Sequence, residues 1–192
     1  MTDPDPRVSS NAMPFPQTRL RRLRATGALR GLVRETTLSA SDLVYPMFVA
    51  HGIDRREPIE AMPGIDRLSI AHAVTEAQEA AELGIPAVLL FGLPAAKDEE
   101  GSGAWDDEGV VQLATRAIKD AHPDMIVITD LCLCEYTSHG HCGALRPDGS
   151  VDNDATLELL SRTATSQISP NHRVGSGRRN CHRRAGILEH IG

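Results

Sequence analysis

The sequence predicts an α/β protein built on a parallel sheet, because short apolar segments alternate with longer helical patterns. The strand-like segments lie at residues 43–49, 87–91 and 125–133. The helical patterns lie at residues 69–83, 110–121 and 152–167. Strand followed by helix, three times over, is the order that parallel strands with crossover helices require.

The strand-like segments differ in how they can be placed in a sheet. The first reads LVYPMFV, and Pro46 favours an edge or irregular strand because proline has no N–H to donate. The second reads AVLLF and contains no polar residue, which suits a strand covered on both faces. The third reads MIVITDLCL and leads directly into a cysteine-rich stretch.

The helical segments carry recognisable ends. Gly84 stands where a C-cap glycine belongs after the first helix, and Pro123 ends the second. Residues 152–154 contain two aspartates that can cap the third. Three strand–helix units are therefore expected.

Composition narrows the class of protein. The chain has 192 residues, is 41% hydrophobic and 24% charged, and so fits one ordinary globular domain. No apolar run approaches the roughly 18 residues of a membrane-spanning helix, and no signal pattern opens the chain. We therefore expect a cytoplasmic protein without membrane contacts, and the net charge of −6 argues against nucleic-acid binding.

The N-terminal residues are predicted to form an arm rather than core. Residues 1–18 contain four prolines, and six arginines fall between Arg19 and Arg34. The arginines fit either a solvated or subunit-contacting arm or an anion contact. We place the arm at residues 1–40.

Residues 130–143, which read DLCLCEYTSHGHCG, hold three of the four cysteines. Strand alternation predicts that Asp130, Cys132 and Cys134 project from one face, at the carboxyl end of the strand where α/β sites form. Cys142 returns through a loop with two glycines. Three thiolates suit zinc and leave its fourth position for water or substrate. Buried free cysteines, and histidines that only cap backbone groups, are the plainer alternatives.

Several motifs, in order along the chain, resemble a known family. They are RLRRLR at 19–24, DLVYPMFV at 42–49, MPGIDRLS at 62–69, LGIPAVLLFGLP at 83–94, KDEEGSGA at 97–104, the cysteine stretch, and DGSVDNDATLELL at 148–160. Over about residues 19–167 the chain resembles the N-terminal half of zinc-dependent porphobilinogen synthase, also called δ-aminolevulinic acid dehydratase. The resemblance implies a (β/α)8 TIM barrel, of which residues 41–167 would form about three βα units and carry the zinc loop.

The resemblance also implies a reaction and a site. The reaction condenses two 5-aminolevulinate molecules to porphobilinogen with loss of water, in tetrapyrrole and haem biosynthesis. Cys132, Cys134 and Cys142 match zinc ligands, Asp130 matches an active-site carboxylate, and His141 matches a histidine that supports the ligands without binding zinc. The arm would embrace a neighbouring subunit in a homo-oligomer, an octamer in the family. The family's magnesium would have no site in this chain.

One part of the implied chemistry is not found in the sequence. The family's Schiff-base lysines lie beyond the matching region, and the chain has only Lys97 and Lys119. Residues 168–192 differ in character from the family, which suggests a disordered tail, a shifted reading frame or a deletion. We expect the chain to be inactive alone. Two alternatives stay open: a zinc-binding, oligomer-contacting fragment without catalysis, and a zinc hydrolase that uses only metal-bound water.

Overall fold

The computed structural model describes residues 21–52, 54 and 56–168. The chain divides into two compact units, Met1–Leu38 and Ser39–Gly192. Residues 1–20 of the predicted arm and residues 169–192 of the predicted tail lie outside the described part. Within that part, no helix has the length and apolarity needed to cross a membrane.

The first unit contains two short helical segments among its described residues. A 3-10 turn spans Arg22–Arg24, and helix α1 spans Gly27–Leu32. Thr26 caps α1, since its hydroxyl accepts a hydrogen bond from the Leu29 N–H at 3.2 Å. The sequence patterns above did not predict this helix.

The second unit is built on one five-stranded sheet, and this confirms the predicted α/β class. The strands are β1 (Val44–Ala50), β2 (Arg56–Pro58), β3 (Asp66–Leu68), β4 (Ala87–Leu93) and β5 (Ile126–Thr129). Their order across the sheet is β2-β3-β1-β4-β5. Strand β1 is parallel to β3 and β4, and β4 is parallel to β5, while β2 and β3 form an antiparallel pair.

Three longer helices connect or follow the strands at the predicted places. They are α2 (Ile70–Glu82), α3 (Val110–Ala121) and α4 (Asn153–Ile168). The chain leaves α2 through Gly84, whose φ of +82° favours glycine and whose N–H bonds the Ala81 carbonyl at 2.9 Å. Helices α2 and α3 pack on the same sheet and on each other.

The core lies between the sheet and these two helices. Its buried members are Met47, Val49, Leu68, Ala73, Ala77, Val88, Leu90, Val110, Val111, Ala114, Ile118 and Met125. Alternation places Phe48 and Phe91 on the opposite face of the sheet, where their rings stack with centroids 5.3 Å apart. Burial of the helix-facing side chains is the main favourable term that holds this layer together.

Pro46 was expected to favour an edge or irregular strand, and the edge placement was wrong. Strand β1 lies in the interior of the sheet, between β3 and β4. However, β3 pairs with β1 only at Phe48 and Val49, whereas Pro46 is opposite Leu89 of β4. Pro46 therefore has a paired strand on one side only, which is the local environment that proline tolerates.

The third strand is shorter than predicted, and this changes the geometry of the site. We expected residues 125–133 to form it, but β5 ends at Thr129. Asp130, Cys132 and Cys134 thus lie beyond the strand and do not project from one of its faces, contrary to the expectation from alternation. The physical reason is a change of hydrogen-bond partners at the end of β4, described below.

We predict that truncation of a core side chain destabilises the second unit. Leu90 is fully buried, so Leu90→Ala should lower the free energy of unfolding by about 2–5 kcal/mol, as lost burial and the resulting cavity add. Leu83→Ala is the matched control, because Leu83 is 72% exposed and should change the value by less than about 0.5 kcal/mol. Urea unfolding followed by circular dichroism measures both. Equal effects would contradict the packing described here.

Candidate metal centre

The cysteine loop, residues 130–143, brings three thiols together beyond the carboxyl end of β5. The Sγ atoms of Cys132, Cys134 and Cys142 all lie within 4.8 Å of one another, and Cys132 and Cys134 are 3.3 Å apart. Sulfurs around one tetrahedral ion at about 2.3 Å are separated by roughly 3.8 Å. The trio therefore fits a single metal ion. It is the one such group of three or more His, Cys, Asp or Glu found within residues that the structure describes.

Exposure differs among the three thiols. Cys132 and Cys134 are half-buried, whereas Cys142 is exposed, and none of the three forms a disulfide. The group of thiols is therefore reached from solvent on the side of Cys142.

Crowding makes the thiols of Cys134 and Cys142 weaker acids. The neighbouring Cys132 thiol, followed by burial, raises the pKa of Cys134 to about 12. Contact with Cys132 also raises the pKa of Cys142. A cation bound beside Cys134 and Cys142 would offset this effect and favour their thiolate forms.

A small apolar cluster holds the cysteine loop against helix α4. Leu133 and Tyr136 are buried against Ala104 and against Leu159 of α4. The Leu133 carbonyl accepts hydrogen bonds from both the Tyr136 and the Thr137 N–H, each at 2.9 Å. This tight turn lies between Cys132 and Cys142, and it gives the loop a core of its own.

A second loop, which follows β4, is joined to the cysteine loop by backbone hydrogen bonds. The Asp98 N–H donates to the Tyr136 carbonyl at 3.3 Å, and the Ser138 N–H donates to the Asp98 carbonyl at 2.7 Å. The Asp98 carboxylate accepts hydrogen bonds from the Gly101 N–H, the Ser102 N–H and the Ser102 hydroxyl. The Ser102 hydroxyl and N–H hold the pKa of Asp98 below its usual value.

The two histidines of the loop are hydrogen-bonded in different ways, His139 through its ring and His141 through its backbone. The His141 N–H donates to Nδ1 of His139 at 3.1 Å, so Nε2 of His139 carries the proton and can donate to the Glu99 carbonyl, also 3.1 Å away. The His141 carbonyl accepts from the Thr137 hydroxyl at 2.9 Å. Neither imidazole is a member of the thiol group.

Asp130 is held through its backbone at the start of the loop. Its N–H donates to the Leu90 carbonyl at 3.2 Å, and its carbonyl accepts from the side-chain amide of Gln167 at 3.2 Å. The amide oxygen of Gln167 in turn accepts from the Thr129 hydroxyl at 2.9 Å. The position of Asp130 is thus fixed by β4 on one side and by α4 on the other.

Glu135 is a site residue that the sequence patterns did not reveal. Its carboxylate accepts a hydrogen bond from the Gly92 N–H of β4 at 3.1 Å. Burial, and then the negative charge of Asp130, raises the pKa of Glu135 to about 7. The signal available in the sequence was an acidic residue directly after Cys134. Gln167, by contrast, had no local signal.

Of the chain's two lysines, Lys119 lies at the end of β5 away from the thiols, and Lys97 lies at the surface. Lys119 donates to the carbonyls of Pro123 and, at 2.8 Å, of Met125, where the chain turns into the amino end of β5. The cysteines follow the other end of that strand. Lys97 is exposed on the loop after β4, and its charge tends to lower the pKa of Glu135.

Comparison with known proteins shows that the chain is similar to one family. The family model described as delta-aminolevulinic acid dehydratase matches residues 17–172. The delta-aminolevulinic acid dehydratase of Synechocystis sp. is 53% identical over 158 residues, which are 81% of this chain and 48% of the relative. The Synechococcus elongatus enzyme is 51% identical over 156 residues, 80% of this chain and 48% of the relative. The chain spans about half the length of the curated relatives it matches.

A solved structure agrees with these relatives. It is the delta-aminolevulinic acid dehydratase (porphobilinogen synthase) of Toxoplasma gondii ME49, in complex with the reaction product porphobilinogen. The TM-score is 0.74 at 34% identity, and the match covers 80% of this chain and 44% of that chain.

We predict that Asp130→Asn lowers the pKa of Glu135 in the metal-free, reduced chain. The substitution removes a negative charge that opposes ionisation of Glu135, so its titration midpoint should fall below about 7. Carbon-13 NMR of the glutamate carboxyl groups measures the midpoint. Glu158→Gln, at an exposed position of α4, is the control and should leave it unchanged. An unaltered midpoint in the Asp130 variant would show that the two carboxylates do not interact.

Proposed function

The chain belongs to the delta-aminolevulinic acid dehydratase family, and we propose that it forms the metal-binding half of a porphobilinogen synthase active site. One observation carries the proposal. Three thiols within 4.8 Å of one another lie at the carboxyl end of a parallel strand, in a chain whose residues 17–172 match that family. The carboxyl ends of parallel strands are where barrel enzymes build their sites.

We infer that the metal is zinc. Clustered thiolates favour a borderline-soft cation, and three protein ligands with one open position are typical of catalytic zinc. Zinc bound here would supply Lewis-acid polarisation of a substrate carbonyl. Free thiols that bind metal also favour a reducing compartment, so we propose a cytoplasmic location.

The proposed substrate is 5-aminolevulinate, two molecules of which condense to porphobilinogen with loss of water. Support comes from the family match and from the solved relative, whose complex holds porphobilinogen as reaction product. Asp130 is the proposed catalytic carboxylate, because its backbone is fixed beside the thiols from two sides. From this position its side chain would orient the substrate or transfer a proton. His141 supports the loop and is not a ligand in this proposal.

Neither lysine of this chain is assigned a Schiff-base role in this proposal. Lys119 is held by two carbonyls at the opposite end of β5, and Lys97 is an exposed loop residue. We further propose that the unit Met1–Leu38 mediates homo-oligomer contacts, since Leu32 and Leu38 are 83% and 76% exposed. The engagement of Lys119 also favours the second candidate, a zinc-binding and subunit-contacting module without catalysis.

Cobalt binding tests the metal proposal. We predict that the chain binds one Co²⁺ with thiolate charge-transfer bands and tetrahedral d–d bands, and that Cys132→Ser, Cys134→Ser and Cys142→Ser each weaken binding by at least about tenfold. Cys181→Ser replaces the remaining cysteine and is the matched control, with no expected effect. If the control behaves like the other three variants, the ligand assignment is wrong.

Substrate tests separate the two candidate functions. We predict that 5-aminolevulinate alters the d–d bands of the cobalt-loaded chain, and that borohydride traps no lysine adduct on it. Adding the C-terminal half of the Synechocystis relative should then yield porphobilinogen, and Cys132→Ser should abolish this yield. Metal binding without any response to 5-aminolevulinate would favour the non-catalytic module instead.

A further inference from the structure

We propose that Glu135 is a positioning residue for the metal centre, acting by replacing a strand hydrogen bond at the end of β4. The inference rests on the proposed metal centre and deepens it. It assigns a role to a side chain that is not itself a ligand, and it explains how the loop is directed away from the sheet.

The pattern of parallel pairing shows what Glu135 replaces. Leu90 of β4 is paired with Thr129 of β5, and the Leu90 carbonyl accepts from the Asp130 N–H at 3.2 Å. In a continuing parallel ladder, the next bond would run from the Gly92 N–H to the Asp130 carbonyl. The structure replaces this bond. The Gly92 N–H donates to Glu135, and the Asp130 carbonyl accepts from Gln167.

Both replacements are side-chain hydrogen bonds, one from within the cysteine loop and one from α4. Glu135 lies in the turn directly after Cys134, so its bond ties that ligand to β4. Gln167 lies on α4, is only 5% exposed, and uses its amide N–H for Asp130 and its amide oxygen for Thr129. The ends of β4 and β5 can therefore separate without leaving these backbone groups unpaired.

Packing at Gly92 gives independent support. A Cβ at this position would lie 2.3 Å from the Tyr136 hydroxyl oxygen and 2.6 Å from Cγ2 of Val111. Tyr136 is buried and immediately follows Glu135. Two consecutive residues of the loop thus contact the same residue of β4, one by a hydrogen bond and one by close packing.

The separation of the strands matters because of the distance between ligands. Side chains two positions apart in a strand leave it roughly 7 Å apart. Sulfurs around one tetrahedral ion need to be about 3.8 Å apart. Departure of the chain from the strand before Cys132 favours the close approach of its Sγ to that of Cys134, which lies 3.3 Å away.

The test separates the reach of the Glu135 side chain from its charge. Glu135→Gln keeps an oxygen that can accept the Gly92 N–H, whereas Glu135→Asp keeps the charge but is one methylene too short. We expect Glu135→Asp and Glu135→Ala to lower zinc affinity by about 10- to 100-fold, and Glu135→Gln to stay near the wild type. Competition with a chromophoric chelator, on the full chain, measures the affinity. Glu158→Ala on α4 is the control.

Hydrogen exchange at the Gly92 amide provides a readout independent of metal. In the metal-free chain the amide should exchange slowly in the wild type and in Glu135→Gln, and faster in the Asp and Ala variants. If Glu135→Asp kept full zinc affinity and Glu135→Gln lost it, the inference would be overturned. The negative charge of Glu135, and not its hydrogen bond to Gly92, would then determine zinc affinity.

Failure of the metal centre can be told apart from failure of this inference. A wild-type chain that binds no zinc overturns both. A wild type that binds zinc, together with a Glu135→Ala variant that binds it equally well, overturns only the role of Glu135.

Discussion

The cluster of three thiols, proposed above as a metal centre, depends on the point at which β5 stops pairing with β4. Up to Thr129 the two strands form an ordinary parallel ladder, and the backbone groups beyond it bond to side chains instead. Because side chains two residues apart in a strand leave it roughly 7 Å apart, this termination favours the close approach of the Cys132 and Cys134 Sγ atoms, which are 3.3 Å apart. The hydrogen bonds of Glu135 and Gln167 allow the strands to separate without leaving the Gly92 N–H and the Asp130 carbonyl unpaired.

The rest of the loop is stabilised by several modest interactions that act together. Leu133 and Tyr136 supply a local apolar core, and the bridge between Asp98 and Thr137 joins the loop to the segment after β4. Each hydrogen bond is worth only about 1 kcal/mol net, so the loop's geometry depends on their number and on the rigid sheet beneath. A site built in this way is preorganised before any metal binds, which reduces the ordering that binding requires.

The sequence predicted those parts of the structure that depend on local patterns. The bounds of α3 matched the prediction at both ends, because its apolar stripe and the following Pro123 are local signals. The clustering of Cys132, Cys134 and Cys142 was also predicted, since they are close in the chain. The end of β5 was not, because the bonds found there join residues distant in sequence, Glu135 to Gly92 over 43 residues and Gln167 to Asp130 over 37.

The β2–β3 hairpin was not predicted either, because its contacts also join residues that are distant in sequence. Its strands have three residues each and no alternating pattern, and Arg56 is held by ion pairs to Asp66 and to Glu76 of α2. Glu76 also accepts a hydrogen bond from the Tyr45 hydroxyl at 2.8 Å. Such contacts join residues that are distant in sequence, and a periodicity argument does not detect them.

We propose that the cysteine loop of this chain binds a single zinc ion through three thiolates and leaves one coordination position open. X-ray absorption at the zinc edge of the loaded chain tests it most directly, since the method counts sulfur neighbours. Three sulfurs at about 2.3 Å and one oxygen or nitrogen ligand are the expected result. Two sulfurs would remove one cysteine from the site, and four would close the position that a substrate needs; either result would contradict the account.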